Sequence, residues 1–109
     1  MTKLSEIPYT VSWIEDDFGI DPSDDNVDVF VDFLTGDRYS ATFFTPKNIT
    51  TLLNQYRESG ECDGGLYIWA VHMIVIERLT KENVERAVAD LIANDEFTSA
   101  FDHSNYSRQ

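Results

Sequence analysis

"VDVFVDFLTGDRYSATFFT" (residues 27–45) is the stretch whose reading decides the fold. Val27, Val29, Val31 and Phe33 recur at every second position, with Asp28 and Asp32 between them. That period of two belongs to a strand buried on one face only. "RYSATFFT" (38–45) is a second run rich in aromatic and small β-compatible residues, and the intervening "TGD" is short and contains glycine. Together they predict a β-hairpin whose valines set the register and whose Asp28 and Asp32 face solvent.

The elements on either side follow from this hairpin. Upstream, "YTVSWIE" (9–15) alternates and reads as a short strand, while residues 16–26 hold Gly19, Pro22 and five aspartates and read as a loop. Downstream, Thr45 is a good N-cap and Pro46 suits the first helical position. Ile49, Leu52, Leu53 and Tyr56 then follow at i, i+3, i+4 and i+7, an apolar stripe along a helix that Gly60 is placed to end. "GECDGG" (60–65) is a turn into the apolar run "LYIWAVHMIVI" (66–76), whose β-branched and aromatic content predicts a central strand. A second helix spans 80–94, capped by Thr80 with Glu82 in its first turn, and carries the stripe Val84, Ala87, Val88, Leu91 and Ile92. Phe97 and Phe101 extend this stripe in a short turn before a polar tail, 102–109, expected to fray. The expected order is β-β-β-α-β-α. It describes one α+β domain over residues 1–109, about four mostly antiparallel strands with two helices packed on the sheet.

Composition limits the function. The chain has 109 residues, 42% of them hydrophobic, enough for a core, and a formal charge of −12 with a pI near 4.2. A polyanionic partner, nucleic acid or an anionic membrane, is disfavoured by that charge. The longest apolar run is far short of a bilayer span, and the N-terminus lacks the apolar core of a signal peptide. Cys62 is the only cysteine and has no internal disulfide partner, which suits a reducing compartment. A cytoplasmic location is the expectation.

The charge is also unevenly placed. Residues 1–37 carry ten acids against Lys3 alone, and residues 38–109 carry ten acids against seven bases. Seven of these acids, Glu15, Asp16, Asp17, Asp21, Asp24, Asp25 and Asp28, fall within residues 14–28, where there is no base. An EF-hand loop counted from Asp21 would need glycine at its sixth position and glutamate at its twelfth. Asn26 and Asp32 stand there instead, so no metal site is expected. Catalytic carboxylates need a pocket that raises one pKa, and an open aspartate-rich loop is the opposite environment. His72 lies among apolar neighbours and reads as a half-buried histidine satisfied by a backbone or carboxylate partner. Cys62 has no base near it in sequence, and "GECDGG" lacks the spacing of a phosphate loop. No active site assembles from these residues, and no cofactor or metal is implied.

What remains is an acidic patch interleaved with apolar groups, Trp13, Phe18 and Ile20. Charge of one sign speeds encounter with an oppositely charged protein, and apolar anchors prolong the contact. Trp13, Phe18 and the seven acids are therefore the candidate partner-binding residues. The plain alternative is that the acids serve solubility on a housekeeping interaction or scaffold subunit. Whether the chain is a monomer or a homodimer is left open, since an exposed strand edge permits pairing.

Residues 39–92, "YSATFFTPKNITTLLNQYRESGECDGGLYIWAVHMIVIERLTKENVERAVADLI", resemble small bacterial immunity proteins of polymorphic toxin systems, including those of contact-dependent inhibition. The likeness lies in a strand ending "FFT", a capped helix, an "SGE…G" turn and "YIWAVHMIVIERLT" leading into the second helix. It implies a non-catalytic cytoplasmic inhibitor that binds one cognate toxin domain, often a nuclease, and blocks its active site. It brings no catalytic residues with it. A nuclease must hold a phosphate backbone on a basic surface. The acidic segment, which lies outside the resembling stretch, is suited by charge to occupy such a surface.

Overall fold

A computed structural model describes residues 3–13 and 19–103. They form a small α+β domain, a largely antiparallel sheet with helices packed against it. In chain order the elements are β1 (Tyr9–Trp13), β2 (Asn26–Phe33), β3 (Arg38–Phe44), α1 (Pro46–Ser59), α2 (Glu61–Gly65), β4 (Met73–Val75), α3 (Lys81–Ala93), α4 (Phe97–Ala100) and β5 (Asp102–His103), after a 3-10 turn at Leu4–Glu6.

The hairpin has the predicted register. Val29 pairs with Ala41 and Val31 with Tyr39, so Val27, Val29, Val31 and Phe33 all enter the core while Asp28, Phe30 and Asp32 take the other face. β1 lines up antiparallel on the far side of β2, Val11 opposite Val31 and Trp13 opposite Val29. Helix α3 closes the inner face with Val84, Val88 and Ile92, and α4 adds Phe97. Phe97 stacks on Phe101 with ring centres 4.5 Å apart and meets Phe33 and Tyr39 edge-on at 5.7 and 5.0 Å. Close packing of this kind supplies most of the stability of so short a chain.

Both helix caps are those expected: Thr45 Oγ1 accepts from the Asn48 amide at 3.2 Å and Thr80 Oγ1 from the Asn83 amide at 3.1 Å. Gly60 ends α1 in the left-handed region at φ 90°. The stripe Ile49, Leu52, Leu53 and Tyr56 is only half-buried, in contrast to that of α3. α1 is anchored chiefly by its first turn and by α2, where Gly65 presses against the backbone of Leu53 and Arg57.

Two expectations are corrected. The run 66–76 is not a central strand: only Met73–Val75 pairs, parallel to β3 and at its edge, because His72 at φ 51° interrupts the extended chain. The frayed tail does not begin at 102 either. Asp102 and His103 form β5, opposite Ser40 and Tyr39, and His103 stacks on Tyr39 with ring centres 4.6 Å apart.

Candidate interaction surface

The acidic loop is held close to the body by the Asp24 carboxylate and by backbone hydrogen bonds, while the Asp21 and Asp25 carboxylates brace it from within. Asp21 Oδ1 accepts from the amide and the hydroxyl of Ser23, both at 3.0 Å. The Ser23 amide first, then its hydroxyl, hold the Asp21 carboxyl below its ordinary pKa, because both bonds favour the ionised form. Asp24 reaches α1, where Oδ1 accepts from Asn48 Nδ2 at 3.0 Å and Oδ2 from the Thr51 hydroxyl at 2.9 Å. Asp25 accepts from the Asn26 amide through Oδ1 at 2.9 Å and from the Asp21 amide through Oδ2 at 3.0 Å. Its backbone amide donates to the capping hydroxyl of Thr45 at 3.2 Å. The Pro22 carbonyl takes a 2.7 Å bond from the Leu79 amide, just ahead of α3. This loop joins the N-terminal ends of both long helices, where negative charge is favourable.

Of the candidate partner-binding residues, Glu15, Asp16, Asp17 and Phe18 lie outside the described residues. Trp13 is half-buried and packs against the core from β1. Asp24 and Asp25 are half-buried and serve architecture, whereas Asp21 and Asp28 are exposed. Asp28 accepts the Thr42 hydroxyl at 2.7 Å across the hairpin.

Sequence patterning missed the most exposed apolar segment. Leu66, Tyr67, Trp69, Val71 and Val75 are 75, 50, 67, 62 and 55% exposed, strung along the chain that leads into edge strand β4. The signal that concealed them was their hydrophobicity, which reads as burial when no sheet position is known. Large aromatic and aliphatic groups gathered in the open mark contact surfaces.

His72 is half-buried at the rim of the outer sheet face, the one that carries Asp28, Phe30 and Asp32. Nδ1 lies 3.1 Å from the Ala100 carbonyl, and Nε2 lies 3.9 Å from Asp102 Oδ1. Across that face, Arg38 meets Asp32 through two bonds of 2.7 and 3.1 Å and lies over the Phe30 ring, and the Asp32 bond holds its guanidinium pKa above the ordinary value. Cys62 is a free thiol in a left-handed turn formed with Asp63 and Gly64. Among the described residues no three His, Cys, Asp or Glu side chains are grouped to share a metal ion, and no helix is long and apolar enough to cross a membrane.

Comparison of the chain with protein-family models, with curated proteins and with solved structures finds no match.

Proposed function

We propose that this chain is a non-catalytic binder of a basic protein partner, an immunity protein that neutralises a cognate nuclease-type toxin domain through an acidic surface. The observation that carries the reading is the exposed series Leu66, Tyr67, Trp69, Val71 and Val75 on a chain of net charge −12. Exposed apolar anchors on a chain of strong net negative charge suit a partner that offers both an apolar contact and positive charge. The resemblance of residues 39–92 to toxin-system immunity proteins supports the same reading and includes this segment. A cytoplasmic location belongs to the proposal.

Affinity capture from the native host at low and high salt tests it, with identification of the eluate and an inhibition assay on whatever is recovered. One basic, nuclease-sized domain is expected near one-to-one, inhibited on binding and associating markedly more slowly at high ionic strength. Recovery of nothing, or of an acidic multi-subunit assembly, overturns the immunity reading. It would favour the housekeeping scaffold, for which the carboxylate bonds of Asp24 to α1 and of Asp25 within the loop already give these acids a purpose.

A further inference from the structure

The outer face of the sheet, which no described helix covers, already holds one guanidinium, and the same residues leave room for a second. On β2, Phe30 lies between Asp28 and Asp32, all three pointing away from the core. On the Asp32 side Arg38 completes the arrangement from β3. Its Nε and Nη2 donate to Asp32 at 2.7 and 3.1 Å, and its Cζ lies 4.7 Å from the centre of the Phe30 ring. On the Asp28 side the cross-strand positions are Ser40 and Thr42, both short and uncharged. The volume that a long basic residue would fill is instead a groove of about 210 Å³, bordered by Asp28, Phe30, Ser40, Thr42, His72 and Asp102.

Topology opens this groove. β4 and β5 share one edge of β3, β4 starting opposite Thr42 and β5 opposite Ser40, and both run away from that point. The strand pairing is therefore interrupted beside Ala41.

The polar groups around the groove are chiefly acceptors. A carbonyl can only accept, so in the contact to Ala100 His72 Nδ1 is the donor, and in that tautomer Nε2 is left as the ring's acceptor. At 3.9 Å from Asp102 Oδ1 it is beyond hydrogen-bond reach of that carboxylate. Thr42 spends its one hydroxyl proton on Asp28. Arg38, the cation nearest in register, is committed to Asp32. The complementary group is a flat cation with several donors, which engages separate acceptors at once and lays its face on an aromatic ring. The groove is smaller than the roughly 300 Å³ at which pockets for drug-sized ligands begin, so it suits a single side chain.

We propose that this groove seats an arginine side chain of the protein partner, mirroring Arg38 across Phe30. The assignment rests on the binder reading above and names the chemical group that this surface holds.

Nα-acetyl-arginine methylamide, titrated into the labelled full chain and followed by NMR at low salt, tests it beside the uncharged citrulline analogue. Saturable shifts at His72, Thr42 and Asp102 are expected with the arginine probe and none with citrulline. Asp28→Asn with Asp102→Asn should weaken the probe by about tenfold or more, as loss of charged hydrogen-bond partners does. Glu58→Gln with Glu82→Gln removes the same charge from exposed helix positions and should leave binding unchanged. Ser40→Phe, which fills the groove while keeping both carboxylates, should abolish the shifts. Shifts scattered over the acidic surface, equal losses in the two double variants, or binding that survives Ser40→Phe overturn the proposal. Probe binding with no basic partner captured would overturn the binder reading and leave the guanidinium site. Capture that ignores the groove variants, with no probe binding, would do the reverse.

Discussion

Asp24 and Asn48 stand 24 positions apart in sequence and are joined by a 3.0 Å hydrogen bond, Asn48 Nδ2 donating to Asp24 Oδ1. Asn48 is only 7% exposed, so its amide depends on this partner and on Asn26, whose Nδ2 donates to Asn48 Oδ1 at 2.8 Å. Asp24→Ala strands that amide and the Thr51 hydroxyl together. A loss of about 1–2 kcal/mol is expected in urea unfolding, with Asp24→Asn costing less because it keeps an acceptor. Equal stability of Asp24→Ala and wild type would mean the loop is not tied to α1 in solution.

Of the five glycines, Gly65 has the closest neighbours. Its φ is 84°, and a Cβ there would overlap the Leu53 carbonyl oxygen and sit 3.0 Å from Arg57 Cγ. Gly65→Ala should cost about 3 kcal/mol, conformational strain and overlap together. Gly36, at φ 98° with open space around it, should lose only about 1 kcal/mol on the same change. Thermal unfolding of the two variants side by side checks the difference.

Phe97 is 1% exposed and touches three other rings, although it lies near the end of the chain. Phe97→Ala should destabilise by about 3–5 kcal/mol, as for other large core aromatics. A loss below about 1 kcal/mol would show α4 to be an ornament on the core rather than part of it.

Trp69 separates folding from binding. At 67% exposure its replacement by alanine should change stability by less than about 0.5 kcal/mol. If it anchors the partner, the same change should weaken the complex by about 2 kcal/mol or more. Calorimetry on the captured complex decides this, and an unchanged affinity would move the interface away from the 66–75 segment.

Two groups give the stability a pH dependence of known sign. The Asp21 carboxyl is held low by the Ser23 amide and then the Ser23 hydroxyl, so its contribution is present above the ordinary carboxylate range and is lost as pH falls through the lowered folded value. Burial, and then the charge of Asp37, pushes the Tyr39 phenol up. That contribution is complete below the ordinary phenol value and is lost as pH rises through the folded one. Ser23→Ala should move the Asp21 titration back up towards the ordinary range in a carboxyl NMR experiment. Tyr39→Phe should flatten the alkaline limb of the stability profile.

The hairpin, both capped helices and the inward valines were all legible, because period, caps and turn residues are local properties of the chain. The candidate site was legible only as charge. Which aspartates face a partner depends on what lies across from them. Asp24 meets Asn48 and Thr51 because the loop folds back over α1, whereas Asp28 meets Thr42 through the hairpin register. The run 66–76 was misread because hydrophobicity signals burial without naming a neighbour. β3 shares its edge between β4 and β5, so most of that run has no strand beside it.

By itself, then, the sequence determined where strands and helices form, which face of each is apolar, and how much negative charge the chain carries. These are set by backbone sterics, side-chain period and composition, which act within a few residues. Only the tertiary structure decided that part of the acidic loop is a clasp, that five apolar side chains of the run 66–76 stand in the open, and that Phe30 has a guanidinium on one side and a groove on the other. Hydrogen bonds and burial are relations between distant residues, and they exist only once the chain has folded back on itself.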